Sequence, residues 1–137
     1  MAITRVETKV VHASANTKAI TTGSNATSDL VTLDATCIDA SITVKADMAG
    51  TPVAGDIIDV YTLLSSGDPD GAASADEFDS ADSTHARHLG SLDCNVTDPA
   101  IKTFPLPSTP QAQKIYMVNN GAATVTVGAV IEEVRSA

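Results

Sequence analysis

Alternation of apolar and polar side chains is clearest between Thr36 and Leu64, where it predicts two consecutive strands. In Thr36–Ala46, Ile38, Ala40, Ile42, Val44 and Ala46 alternate with Cys37, Asp39, Ser41, Thr43 and Lys45. A strict period of two places one set on one face of a sheet, so this segment reads as a half-buried strand. In Gly55–Leu64 both faces are apolar, with Ile58, Val60 and Leu64 on one and Ile57, Tyr61 and Leu63 on the other. A strand of that kind is expected at the centre of the fold or beneath a partner. Between them Asp47–Ala54 carries Gly50 and Pro52 as turn residues and reads as the open loop of a hairpin.

The same period recurs along the chain. Ile3–His12 sets Val6, Thr8 and Val10 against Arg5, Glu7 and Lys9, a strand with one wet face. Short apolar runs at Thr17–Thr22 and Asp29–Leu33 flank the turn-rich Gly23–Ser28. Thr84–Leu92 is extended, Asp93–Pro99 is a turn, and Ile101–Leu106 is a strand whose Phe104-Pro-Leu-Pro107 end forbids a central, fully paired position. Gln113–Asn119 and Ala122–Val134 read as a hairpin about Asn120-Gly121, the pair best suited to a type I′ turn. Helical spacing is sustained nowhere. The pattern predicts an all-β fold of eight or nine short strands, an antiparallel β-sandwich of jelly-roll type, in one domain spanning 1–137.

Composition narrows the core. The apolar 43% is largely Ala, Val and Ile, and Tyr61, Phe78, Phe104 and Tyr116 are the only aromatic residues, so the core is thin and β-branched. Charge is uneven. The formal charge is −9, and Asp68, Asp70, Asp76, Glu77, Asp79 and Asp82 fall within the long irregular segment Ser65–Ser83, which has no Lys or Arg. Nucleic-acid phosphates and anionic lipid would repel such a chain, so neither nucleic acid nor membrane is expected as a partner. No signal-type segment and no run of 18 apolar residues occurs, which predicts a soluble protein made in the cytosol. Cys37 and Cys94 are accordingly expected as free thiols, and the Asn25-Ala-Thr27 and Asn95-Val-Thr97 patterns carry no glycan.

Candidate chemistry is sparse. Asp68, Asp70, Gly71 and Glu77 fit positions 3, 5, 6 and 12 of a calcium loop, but Ser66 stands at the first ligand position and Pro69 stiffens the fourth. The segment therefore reads as a solvated or partner-facing loop, and ordering it would require contacts that offset its conformational entropy. His85 and His88, three apart on a strand, point to opposite faces and do not share a metal. No nucleophile elbow, phosphate loop or dinucleotide pattern occurs, and the exposed carboxylates lack the burial that tunes a general acid. No cofactor and no enzymatic activity are expected. A sugar-binding sandwich would ordinarily stack its ligand on exposed rings, which are scarce here.

One resemblance remains. The stretch from Leu89-Gly-Ser-Leu-Asp-Cys-Asn95 through Lys102-Thr-Phe-Pro-Leu-Pro107 to Lys114-Ile-Tyr-Met-Val-Asn-Asn-Gly-Ala-Ala-Thr-Val-Thr-Val127 resembles small virion proteins of tailed bacteriophages. The Ala/Thr/Val-rich strands and acidic charge are similar to those of head decoration, or cement, proteins. The resemblance, which covers about Leu89–Val134, implies a β-sandwich on the capsid exterior of the virion, bound to major capsid protein and to its own copies as a symmetric oligomer. The expected contacts are Asp68, Asp70, Asp76, Glu77, Phe78 and Asp79 of the acidic loop, the Phe104 and Pro105 corner, and the arm Ala2–Thr8. A tail or neck component and a carbohydrate-binding module are the competing readings.

Overall fold

The computed structural model describes residues 2–64, 86–96, 98–108 and 112–136, in which ten strands form two antiparallel sheets. The acidic segment expected at 65–83, with Asp68, Asp70, Asp76, Glu77, Phe78 and Asp79, lies outside the described residues, as does His85.

The first sheet runs in the order β1 (Ile3–Val10), β10 (Val125–Ser136), β5 (Cys37–Met48), β8 (Ala100–Leu106), with β2 (Thr17–Ile20) continuing the β1 position along β10. The second has β3 (Asn25–Thr27) and β4 (Val31–Thr32) sharing one edge of β9 (Ala112–Asn119), followed by β6 (Ile57–Leu64) and β7 (Arg87–Asp93). Ten strands thus fill eight sheet positions, because the first position of each sheet is split between two strands. Pairing couples the ends of the chain inward: β1 with β10, β3 with β9, β5 with β8 and β6 with β7. That is one long hairpin rolled on itself, the jelly-roll connectivity.

The period of two now has a physical meaning. Ala40, Ile42, Val44, Ala46 and Met48 of β5 and Val125, Val127, Ala129 and Ile131 of β10 face Ile58, Val60, Ile115, Met117 and Leu92 of the other sheet, all of them buried. Each large side chain withdrawn from water contributes about 1.5–3 kcal/mol against chain entropy. At the end of this layer Glu133 turns inward yet is satisfied. It accepts hydrogen bonds from Arg135 Nη2 (2.9 Å) and Nε (3.1 Å) and from the Asp34 amide (2.9 Å). No helix among the described residues is long and apolar enough to cross a membrane.

Four expectations need correction. The segment 47–54 is not a hairpin loop: β5 and β6 belong to different sheets, and 49–56 carries the chain between them, turning at Gly50 and Gly55 with φ of 77° and 93°. Nor do β9 and β10 form a hairpin. They too lie in opposite sheets, and neither Asn120 nor Gly121 has the positive φ that a type I′ turn demands. The buried Asn119 side chain overrides that local preference, donating to the Ile20 and Ala123 carbonyls and accepting from the Gly121 amide. A Cβ at Gly121 would crowd the flexible end of Met48 and come within 3.1 Å of the Asn119 and Asp56 carbonyl and carboxylate oxygens, so a larger residue there needs these side chains to shift. Ile38 leaves the inward set because the β5–β10 ladder shifts between Val134 and Arg135, and its side chain is 53% exposed. Phe104, expected at a partner surface, is a core residue at 3% exposure, whereas its neighbour Pro105 is exposed. The proline does lie on an edge strand, where its missing N–H costs no ladder bond.

Candidate functional site

The outer face of the second sheet holds the main polar constellation. Its centre is Asp59, a carboxylate set among the apolar residues of β6 and pointing away from the core. Ser91 Oγ donates to Asp59 Oδ1, Asn120 Nδ2 donates to Oδ2, and His88 Nε2 stands 3.3 Å from Oδ1. Strict alternation in β7 would put His88 and Ser91 on opposite faces. The register instead shifts between Val60 and Tyr61, so His88 pairs with Tyr61 and Gly90 with Val60, with Leu89 as the extra residue. Bulges re-aim side chains in this way, and here one collects His88, Ser91 and Asp59 on one surface.

Aromatic groups extend the site. The Tyr61 ring lies 5.0 Å from that of His88 and 5.7 Å from that of Tyr116, both tilted by 54°. Burial first, then the Asp59 charge and Tyr116, push the Tyr61 hydroxyl above its ordinary pKa, so it stays a neutral donor at physiological pH. Leu63 and Tyr116 form a second apolar cluster on this face, packed with Tyr61, Ala86, Ala112 and Val118. The double apolar pattern of β6 therefore has two sources: a core face, and an outer cluster between flanking β7 and β9.

Ser, His and Asp together invite comparison with a nucleophilic relay, but the hydrogen bonding is wrong for one. A relay needs the imidazole between hydroxyl and carboxylate, using one nitrogen for each. Here Ser91 gives its proton to Asp59, while the same His88 Nε2 faces both Asp59 and, at 3.4 Å, Ser91 Oγ. The arrangement suits the binding of hydroxyl or amide groups. Among the described residues no three His, Cys, Asp or Glu side chains gather to hold a metal ion. Cys37 and Cys94 are both free, and burial raises the Cys94 thiol to about 11, which keeps it protonated and unreactive.

A cavity of about 320 Å³ opens at the corner of β2 and β3 between His12, Lys18, Asn25, Thr27 and Asp29. His12 starts a tight turn in which Ala13 and Ser14 take positive φ (49° and 74°), held by the Asp29 carboxylate on both amides. His12 itself is buried, and neither ring nitrogen reaches a partner among the described residues. Nothing in the local pattern singles this residue out: a histidine closing an edge strand looks like any surface histidine.

No family model matches the chain, and no curated protein matches it. Solved structures do. A CBM36-1 domain of a multidomain xylanase from the hindgut metagenome of Trinervitermes trinervoides aligns at TM-score 0.54 and 12% identity, over 96% of this chain and 98% of that one. The C-terminal CBM6 of the laminarinase LamC from Zobellia galactanivorans aligns at TM-score 0.51 and 9% identity, over 93% and 99%. A chain in the structure of infectious bursal disease virus, Gt strain, aligns at TM-score 0.50 and 11% identity, over 96% of this chain but 32% of that one. At such identities what is shared is the fold: a jelly-roll sandwich found in both sugar-binding modules and virus particles.

Proposed function

We propose that this chain is a non-enzymatic structural protein of a tailed-phage virion, a decoration protein that binds assembled major capsid protein, and copies of itself, on the capsid exterior and stabilises the head. The observation that carries the reading is where the phage-like stretch falls. Leu89–Val134 contributes to β7, β8, β9 and β10, two strands in each sheet, and so supplies half of the jelly roll. A fold held in common with a chain of a virus particle supports the same assignment. Binding of this kind requires complementary surface and no cofactor. The exposed Pro105 corner and the acidic segment are its contact surfaces, with Phe104 supporting the corner from within. Purified protein is expected to bind expanded capsids that lack it, to saturate, and to raise their disruption temperature. Folded protein that fails to bind such capsids would sink the proposal. Labelling on intact virions would separate head from tail or neck.

A carbohydrate-binding module is the second reading, favoured by the Asp59, Tyr61, His88 and Asn120 face and by the two enzyme modules sharing the fold. It predicts calorimetric binding of laminarin or xylan oligosaccharides that Tyr61→Ala abolishes. Silence with these sugars and on a broad glycan array would remove it.

A further inference from the structure

Sheet edges offer unpaired N–H and C=O groups and are normally blunted by prolines, bulges, brevity or charged side chains. Three of the four edges among the described residues follow that rule: β8 contains Pro105, β7 carries the bulge at Leu89, and β3 and β4 are three and two residues long. The fourth, β1, has only the charges of Arg5, Glu7 and Lys9, and charges of both signs can pair with a second copy as well as repel one. β1 runs regularly from Ile3 to Val10 with no proline and no register shift against β10, and apart from Val6 and Val10 its side chains are exposed on both faces. Thr4 and Thr8 point inward by register, yet both remain exposed beneath the short opposing edge.

We infer that β1 pairs antiparallel with β1 of a second copy across a two-fold axis at Val6, continuing the first sheet from one protomer into its partner. Charge fixes this register. About Val6, Arg5 of each copy faces Glu7 of the other, Thr4 faces Thr8, Val6 faces Val6, and Ile3 lies along the Lys9 stem, so the contact spans Ile3–Lys9. Centring on Arg5 or on Glu7 would oppose like charges. Centring on Thr8 would pair Glu7 with Lys9 but span only Val6–Val10. Glu7 has a reason to accept a cation: within the chain it sits directly opposite Glu132, whose own ion pair is with Arg5 at 2.8 Å. A partner's guanidinium relieves that opposition. The inference deepens the self-association part of the proposed function and rests on that part alone, independent of any capsid.

Charge-swap variants of the full chain, followed by sedimentation velocity without capsid, test it. The unmodified protein is expected to be a dimer that dissociates on dilution. Arg5→Glu and Glu7→Arg, each melting as cooperatively as the parent diluted to monomer, should weaken dimerisation by roughly tenfold or more, since two contacts turn repulsive. Mixing the two variants should restore a heterodimer, because at both contacts an acidic side chain of one variant then meets a basic side chain of the other. The double variant should self-associate again. Independently, Val6→Cys in a Cys37→Ser background should form an interchain disulfide on mild oxidation, since directly opposed Cα atoms lie about 4.5–5.5 Å apart, within disulfide reach. Thr4→Cys, opposite Thr8, should not. A protein monomeric at every concentration, a dimer indifferent to the swaps, or crosslinking at residue 4 in preference to residue 6 would each overturn the inference. Capsid binding is scored separately, so either idea can fail without the other.

Discussion

Gly90 is the position where one methyl group tests the packing most directly. A Cβ built there lies 2.3 Å from Phe104 Cε1 and 2.7 Å from Cδ1. Ordinary carbon contacts need about 3.5 Å, so in Gly90→Ala the ring must retreat by roughly 1 Å. It has nowhere easy to go: Phe104 is buried against the core, paired in register with Ile42, and covered by Lys102 Nζ at 5.4 Å from the ring centroid. Overpacking of this kind costs about 1–3 kcal/mol. Replacing a strand glycine returns about 0.5–1 kcal/mol of chain entropy. The expected net loss is about 1–2 kcal/mol, read in urea as a midpoint lowered by on the order of 1 M at unchanged slope. The cause is checked in a Phe104→Leu background, where the offending ring atoms are gone and the same glycine change should cost little or even stabilise. A coupling of about 1 kcal/mol or more between the two sites is expected. A variant as stable as the parent, or an equal cost in both backgrounds, would refute the assigned contact.

Three other perturbations follow from the buried polar groups. Asn119→Ala strips partners from the Ile20 and Ala123 carbonyls and the Gly121 amide at the crossing from β9 to β10, and should cost about 3 kcal/mol in denaturant unfolding. Arg135, aided by the Asp34 amide, holds the Glu133 carboxyl below its usual pKa, so its stabilisation is present above about pH 4.5 and is lost as pH falls through the folded value. Glu133→Gln should lower the neutral-pH melting temperature and flatten that acid limb. Burial, partly opposed by Asp29, lowers the His12 pKa beneath 6.5, so the unfolded chain takes up the proton first and stability falls as pH drops below 6.5. His12→Phe should abolish the decline in melting temperature between roughly pH 6.5 and 5 while leaving the carboxylate limb at lower pH.

Strand character was legible because period two is a local property. The inward set of β5 is read correctly from Ala40 to Ala46, and the jelly-roll class follows from many short strands. Which sheet a strand joins is not local. The pattern of β9 and β10, and the Asn120-Gly121 pair, look like a hairpin because nothing in them encodes that β9 belongs with β6 and β10 with β5. The bound Asn119 side chain decided the turn, and only the fold reveals its partners. The polar face was half visible: Asp59 interrupts an apolar strand, a signal that a carboxylate has a task or a partner. His88 and Ser91 were hidden from it because the bulge reverses the parity on which face assignments rest. Phe104 misled for a simpler reason, since a ring beside prolines looks like a surface corner until its strand places it inward.

The edges also constrain what the molecule can bind. Pro105 lies on β8, the opposite edge of the first sheet from β1, with β5 and β10 between. Joining two copies at β1 makes one continuous sheet in the order β8, β5, β10, β1, then the same four strands reversed. The two Pro105 corners then stand at its far ends, separated by seven strand spacings of about 4.8 Å, roughly 34 Å before twist shortens the span. Where the Pro105 corners make the capsid contacts proposed above, a dimer of this kind engages with both only where equivalent features repeat about a local two-fold at that distance. Divalent engagement raises the apparent affinity far beyond that of one corner, and it vanishes when the spacing is wrong. Capsid binding by the Arg5→Glu variant should therefore fall much more than the loss of dimer contacts alone accounts for, and should recover when Glu7→Arg is added to the same chain. Equal capsid affinity for monomeric and dimeric forms would show that the corners act singly, and would separate the Pro105 surface from the β1 edge.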